Sequence, residues 1–227
     1  MLPDFSIEEQ FPDKIVLAID EAGRGPLAGP VVASCVMFSK SNFIEGVNDS
    51  KKITKKKRAY IYQQVHGKVK YGLGVVDEKI IDEINILQAT KLAMLRSYQN
   101  FYQKYRFKAD VILVDGNFSP FNLSLKDFFK KYLESDCSLI FDVKDSLAII
   151  KGDQKSLSIA LASIIAKEYR DQIMLEFHQQ YPQFDFDKNS GYGTKKHLAL
   201  LNEIGILPIH RRSFEPIKSM IVNNANN

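Results

Sequence analysis

The chain has 227 residues, of which 45% are hydrophobic and 26% charged, and its formal net charge is +4. These values are ordinary for a soluble globular protein with a sizeable core, in one large domain or one domain with a small appendage; no run reaches the length of a membrane-spanning helix, and no internal repeat or low-complexity tract is present. The slight basic excess leans towards a polyanionic partner without requiring one, and Met1–Gln10, with three acids and no apolar stretch, does not read as a secretory signal, so a cytoplasmic setting is the default expectation.

Met1–Asp13, with Pro3 and Pro12, reads as a polar lead expected to pack loosely. The branched apolar runs Ile15–Ile19 and Val31–Phe38 read as a hairpin-like pair of strands. Cys35 lies inside the second run and is expected to be a reduced core thiol; Cys137 is too distant to form a metal-type spacing with it. After a connecting loop at Ser39–Asn48, Thr54 is placed to cap a helix running towards His66. Val69–Val76 reads as a third strand, Asp77 as the cap of a short helix to Asn85, and Ile86–Tyr105 as a long helix with Leu87, Met94, Leu95 and Tyr98 on one side. Val111–Val114 is a short strand. Phe118–Leu147 has the weakest pattern, offering a helix around Leu125–Leu133 and an apolar patch at Leu139–Val143. Ala148–Ile150 reads as a final strand and Ser158–Tyr181 as a second long helix, striped by Ala162, Ile165, Ala166, Tyr169, Ile173 and Phe177. Another helix is expected over Thr194–Asn202, stopped near Gly205 and Pro208, and Val222–Asn227 is expected to fray.

Three of the strand-like runs lead into acids: Asp20 and Glu21, Asp115, and Asp153 after Lys151-Gly152. Strand ends are where open α/β sheets build sites, and clustered carboxylates suit hard divalent cations. Four of them around two ions roughly 3.5–4 Å apart would suit in-line phosphodiester hydrolysis, one ion acidifying the attacking water and the other stabilising the leaving oxygen. Neighbouring side chains of a strand point to opposite faces, so Asp20 and Glu21 are expected to share a site only if the strand ends there and the backbone turns. Gly23-Arg24-Gly25-Pro26 makes that turn feasible and would let a phosphate or sugar approach the backbone. On pattern alone the acids also read as solvated turn residues, Arg24 as half of a surface ion pair, and Tyr192 as one of ten tyrosines packed beside a glycine turn. Lys51–Arg58 holds six basic residues in eight positions; it could grip a phosphate backbone, with Ser50 and Lys51 nearest the reaction, or be a solvated helix start. Lys151, Lys155, Lys167, Arg211 and Arg212 could extend that basic surface, and His210 is given no catalytic role.

The ordered motifs Ile15–Phe38, Asn48-Asp49-Ser50-Lys51-Lys52, Val114-Asp115-Gly116-Asn117, Lys151-Gly152-Asp153, Ala162-Ser163-Ile164-Ile165-Ala166-Lys167, Gly191-Tyr192-Gly193-Thr194 and His210-Arg211-Arg212-Ser213-Phe214 closely resemble those of the type 2 ribonucleases H, the ribonuclease HII family. The resemblance implies an α/β ribonuclease H-like fold, a mixed five-stranded sheet flanked by helices with a helical C-terminal part. The expected division is a lead at 1–13, a catalytic domain at 14–181 and a C-terminal helical segment at 182–227 packed on that domain. It further implies an endoribonuclease that hydrolyses the RNA strand of RNA–DNA hybrids and nicks 5′ of single ribonucleotides embedded in duplex DNA, leaving 3′-OH and 5′-phosphate ends.

By the same resemblance Asp20, Glu21, Asp115 and Asp153 hold two Mg²⁺ or Mn²⁺ ions. The resemblance also gives Tyr192 the role of stacking on the next sugar; from residue chemistry alone, backbone groups at Gly23, Arg24 and Gly25 are candidates to read the ribose 2′-OH, and Ser50 and Lys51 to meet phosphate. The implied partners are RNA–DNA hybrid and ribonucleotide-containing duplex DNA, with no membrane, and the chain is expected to be a monomer. Glu168 departs from the pattern, standing where an apolar residue is expected. The type 3 relatives share the fold but match the Gly-Arg-Gly turn less well. A phosphate-binding NTPase would carry a G-x-x-x-x-G-K-[ST] run, which is missing. A non-catalytic duplex-binding protein would need the basic residues but not all four acids.

Overall fold

The computed structural model of the chain describes residues 2–121, 126–133 and 142–225. At its centre is a five-stranded sheet in the order β3-β2-β1-β4-β5. β1 (Val16–Ala22), β2 (Val31–Met37) and β3 (Lys70–Val76) pair antiparallel; β4 (Val111–Asp115) runs parallel to β1, and β5 (Asp145–Ile149) parallel to β4. The sheet is therefore mixed, as the sequence predicts. β1, β2 and β4 are covered on both faces, which is why their sequences are near-continuous apolar runs rather than alternating ones.

The pleat divides the core in two. Leu17, Ile19, Ile112 and Val114 pack with α2 (Glu78–Tyr105), whereas Ala18, Val36, Val111 and Leu113 pack on the other face with α1 (Lys55–Val65) and α4 (Leu157–Gln180). A short α3 (Lys126–Phe129) places Phe129 in the first of these clusters. The chain after α4 forms α5 (Phe186–Asn189), α6 (Lys195–Glu203) and α7 (Ile217–Ala225). Its apolar residues Phe184, Phe186, Leu201, Ile209 and Ile217 form a third cluster with Leu27, Ala28 and Met174. The C-terminal part is thus packed on the loop between β1 and β2, where the site lies.

The helix starts follow from their caps. Thr54, Asp77, Ser156 and Thr194 accept from the backbone N–H three residues on, satisfying a donor that the first turn leaves unpaired. α2 is two helices joined at Asn85, whose φ of 65° is non-helical; its side chain accepts from Leu87 and Gln88 and caps the second helix, as the short-helix-then-long-helix reading expects. Met94, Leu95 and Tyr98 are buried, but Leu87 is exposed.

Three expectations are corrected. The N-terminal lead does not pack loosely: Phe5 is buried, Asp4 pairs with Lys155 and Leu157 through the backbone, and the Glu8 carboxylate accepts from Ser156 Oγ and Ser158 N at the start of α4. α4 has no single apolar stripe, because every residue from Leu157 to Ala166 is buried between the sheet and its neighbours. Residues 222–225 belong to α7 rather than to a frayed tail. Cys35 is a free, buried thiol as expected, and burial pushes its pKa up. Cys137, Leu125 and residues 139–141 of the apolar patch lie outside the described residues. Among the described residues, no helix is long and apolar enough to cross a membrane.

Candidate active site

β1 and β4 stay in parallel register only as far as Ile19↔Val114, while β1 remains paired with β2 through Asp20↔Ser34, Glu21↔Ala33 and Ala22↔Val32. The first strand therefore continues through both acids instead of ending at Ile19, which corrects the condition set from the sequence. Asp20 and Glu21 lie on opposite pleats, yet their carboxylates feel each other at the tip of β1, which remains paired with β2 beyond its last parallel partner on β4. Asp20 is buried and accepts from Glu21 N at 2.7 Å. Asp115 Oδ1 accepts from Gly152 N at 2.6 Å, tying the end of β4 to the turn that carries Asp153. Glycine at 152 leaves room for this contact, since a Cβ there would stand 2.6 Å from Ile159 Cδ1 and 3.1 Å from Asp115 Oδ1, and one of them would have to shift.

A cleft of about 510 Å³ opens over these strand tips. Glu21, Gly23, Arg24, Gly25, Ser50, Lys51, Asp115 and Tyr192 line it. Asp20 and Asp153, both 4% exposed, do not, but their carboxylates are within electrostatic reach of Asp115. Lys51 Nζ stands 3.7 Å from Asp153 Oδ2, and Ser50 Oγ is hydrogen-bonded to Ser163 Oγ at 2.8 Å.

Two buried arginines hold the 23–30 loop from behind. Arg211 donates to the carbonyls of Gly23 (2.5 Å), Arg24 (2.8 Å) and Gly29 (2.9 Å). Arg170 donates to those of Ala28 (3.1 Å) and Pro30 (2.9 Å) and, across the cleft wall, to Ser190 (2.9 Å). Arg211 is thus a buried strut and not part of a basic surface, which corrects the sequence reading. Gly23 has φ +96°, and a Cβ there would meet Arg170 Nε at 2.1 Å, so the glycine is needed for both conformation and space. Gly25 abuts Tyr192, whose Cε1 would lie 3.4 Å from a Cβ at that position. The Tyr192 side chain is half exposed.

A family model described as Ribonuclease HII matches residues 17–217. This chain belongs to the ribonuclease HII family. It is 44% identical to ribonuclease HII of Macrococcus caseolyticus over 219 residues, covering 96% of this chain and 74% of that one. It is also 44% identical to ribonuclease HII of Rickettsia bellii over 207 residues, covering 91% and 93%. The crystal structure of ribonuclease H2 from Pyrococcus horikoshii superposes with a TM-score of 0.67 at 28% identity, covering 93% of this chain and 99% of that one. The chain is accordingly a metal-dependent endoribonuclease of ribonuclease H type 2, a hydrolase acting on nucleic acid.

In this chain the acids lie close together and short of positive charge. Burial raises the Asp20 pKa well above its usual value, and the Glu21 and Asp115 carboxylates add to the shift. Burial raises Glu21 too, eased by Arg24 at 3.4 Å; burial and then Asp115 and Asp49 raise Asp153. Burial opposes the Lys51 charge, but Asp153, Asp20, Asp49 and Asp115 outweigh it and raise that pKa. Asp20 and Asp115 make no ion pair among the described residues, and Glu21 Oε2 is buried without a hydrogen-bond partner. An all-oxygen donor set with an orphaned acceptor fits a hard divalent cation in charge and donor type. It is not a closed cage: among the described residues no three His, Cys, Asp or Glu side chains are gathered closely enough to hold an ion.

Other residues at the site were not legible or were misread. Arg58, counted with the basic stretch, is buried and donates to Glu168 (2.5 Å), Asp171 (3.3 Å) and the Ser50 carbonyl (3.3 Å). That pair accounts for the acid at position 168, where an apolar residue was expected. Lys167 lines the cleft and pairs with Asp171 at 2.7 Å. Arg170 had no signal in the sequence, since nothing in the helical pattern distinguishes a buried arginine from an exposed one.

Proposed function

We propose that this member of the family nicks duplex DNA 5′ of a single embedded ribonucleotide and also cleaves the RNA strand of RNA–DNA hybrids, at a two-ion site that leaves 3′-OH and 5′-phosphate ends. The observation that carries this reading is the placement of the Gly23-Arg24-Gly25 turn and Tyr192 in contact across one cleft whose other wall is the acid cluster. Asp20, Glu21, Asp115 and Asp153 would hold Mg²⁺ or Mn²⁺, whose chemistry is to acidify water and to offset charge on the phosphate.

The remaining roles belong to the chain's own groups. With the carbonyls of Gly23 and Arg24 already accepting from Arg211, the amides of the turn are the groups that would donate to the oxygen of a 2′-OH. The exposed face of Tyr192 stacks on the following sugar, a contact that favours a deoxyribose there. Ser50 and Lys51 meet the phosphate, with Lys51 oriented by Asp153.

A nicking assay tests the reading. The substrates are a duplex with one ribonucleotide, an all-DNA duplex and an RNA–DNA hybrid, each with Mg²⁺ or Mn²⁺, cut by wild type and by Asp20→Asn. The expected result is metal-dependent cleavage 5′ of the lone ribonucleotide and of the hybrid, with neither the all-DNA duplex nor the variant giving product. Cleavage of the hybrid alone would leave the acids standing and remove the roles given to the turn and Tyr192.

A further inference from the structure

Tyr192 is held through its backbone; among the described residues no aromatic or cationic group packs on its ring. Its N–H donates to the Asn189 carbonyl at 2.9 Å, and its carbonyl accepts from Thr194 N at 2.8 Å and lies 2.9 Å from His197 Nδ1. His197 Nε2 is in turn 2.9 Å from His210 Nε2, and His210 Nδ1 accepts from Leu207 N at 2.8 Å. Both imidazoles are buried, 0% and 1% exposed, and both pack on Phe184 and Phe186.

The two ends of this chain fix its protons. Leu207 N–H fills the acceptor at His210 Nδ1, so the His210 proton is on Nε2 and points at His197. His197 Nε2 must then accept, which places its own proton on Nδ1, directed at the Tyr192 carbonyl. Only the doubly neutral pair satisfies every contact, and burial keeps both rings neutral, His210 at a pKa of about 4.

We propose that His197 and His210 are positioning residues for Tyr192, and that they set the preference of the enzyme for a ribose–deoxyribose junction over a continuous hybrid. This rests on the reading of Tyr192 as the residue that stacks on the sugar following the ribose. The physical reason is that the Tyr192 carbonyl is anchored by a buried donor of fixed direction. The ring flanks Gly25, so a change in the anchor moves it relative to the turn that reads the 2′-OH.

The test compares kcat/KM on the single-ribonucleotide duplex and on the long hybrid for wild type, Tyr192→Ala, His210→Leu, His210→Gln and the His210→Leu/Tyr192→Ala double variant. Glutamine keeps the order of the chain, since its oxygen takes the Leu207 N–H and its amide donates to His197 Nε2; leucine keeps bulk and breaks the chain. His210→Leu should lower the junction-to-hybrid ratio about tenfold while His210→Gln stays within about twofold of wild type. In the Tyr192→Ala background His210→Leu should move the ratio no further. Equal losses on both substrates, failure of glutamine to preserve the ratio, or independent effects in the double variant would overturn the proposal. A wild-type ratio for Tyr192→Ala would instead remove the reading of Tyr192 itself. If His210→Leu does not fold, His197→Phe, which keeps the ring and removes the donor to Tyr192, is held to the same expectation.

Discussion

Gly23→Ala should separate the demands of the fold from those of the cleft when set beside Gly25→Ala. At position 23 the added methyl meets Arg170 Nε at 2.1 Å, Arg170 Cδ at 2.5 Å and the Pro30 carbonyl at 2.7 Å, on a backbone with φ +96°. The left-handed conformation costs about 1–2 kcal/mol and the overpacking about 1–3 kcal/mol, so a total of about 2–5 kcal/mol is expected. In a chain of this size that lowers Tm by about 4–20 °C. The methyl also pushes Arg170 off carbonyls on both sides of the cleft wall, Ala28 and Pro30 on one and Ser190 on the other. At position 25 the methyl meets only Tyr192 Cε1 at 3.4 Å, an ordinary contact. Gly25→Ala should therefore melt within about 2 °C of wild type, a difference under about 1 kcal/mol, yet lose nicking at a lone ribonucleotide because the methyl occupies the slot between turn and ring. Differential scanning calorimetry and the nicking assay are run on both variants. A Gly23→Ala protein that melts with wild type, or a Gly25→Ala protein with wild-type selectivity, would refute the reasoning.

Asp20→Asn should abolish cleavage and raise Tm in EDTA. Asp20, Glu21 and Asp153 have raised pKa values in the fold, so their contribution is most favourable at low pH and is lost as pH rises through those values; the amide at position 20 replaces a group whose charged form the fold disfavours. Adding Mn²⁺ should raise the Tm of wild type and leave Asp20→Asn nearly unmoved. The histidine pair gives the opposite slope. His210 falls to about 4 by burial and then by the nearby His197, so its stabilising contribution is full above its unfolded value near pH 6.5 and is lost as pH drops towards 4. The loss amounts to about 3 kcal/mol and should be smaller in His210→Gln; identical melts for both proteins between pH 7.5 and 5 would remove the account. Arg58→Met should destabilise by about 3–5 kcal/mol by stranding buried Glu168, and Arg58→Met/Glu168→Leu should recover part of that loss in a urea melt.

The strands and long helices were legible because burial on both faces leaves a strong local trace: VVASCVM, VILV and the capped starts at Thr54, Asp77 and Thr194 mark themselves. The electrostatic proximity of Asp20, Asp115 and Asp153 left only the trace of acids following three strand-like runs, and Asp153 stands on the turn after β5 rather than at its tip. What stayed hidden is long-range. Arg170 and Arg211 are charged residues that every compositional rule sends to the surface, yet both are buried, because six loop carbonyls needed donors and a guanidinium supplies several in one plane. Glu168 is buried for the complementary reason, its partner Arg58 being 110 positions away in sequence. The continuation of β1 through Glu21 was missed because strand length is set by the β2 partner, whose pairing cannot be seen from β1 alone.

Those arginines also bear on how a chain of net charge +4 holds a polyanion. Burial lowers Arg170 to about 10 and Arg211 to about 9, so both remain protonated at neutral pH, and neither makes an ion pair with a carboxylate among the described residues. Two full positive charges therefore lie directly behind the Gly-Arg-Gly turn, in a medium that screens them less than water does. The acid cluster on the facing wall is short of positive charge by the same logic. The Gly-Arg-Gly turn is thus backed by buried guanidinium groups, while the acids next to it meet positive charge only through Arg24 and Lys51. Arg58, the one member of the Lys51–Arg58 stretch that is buried, donates to the Ser50 carbonyl and so ties that stretch to the cleft wall.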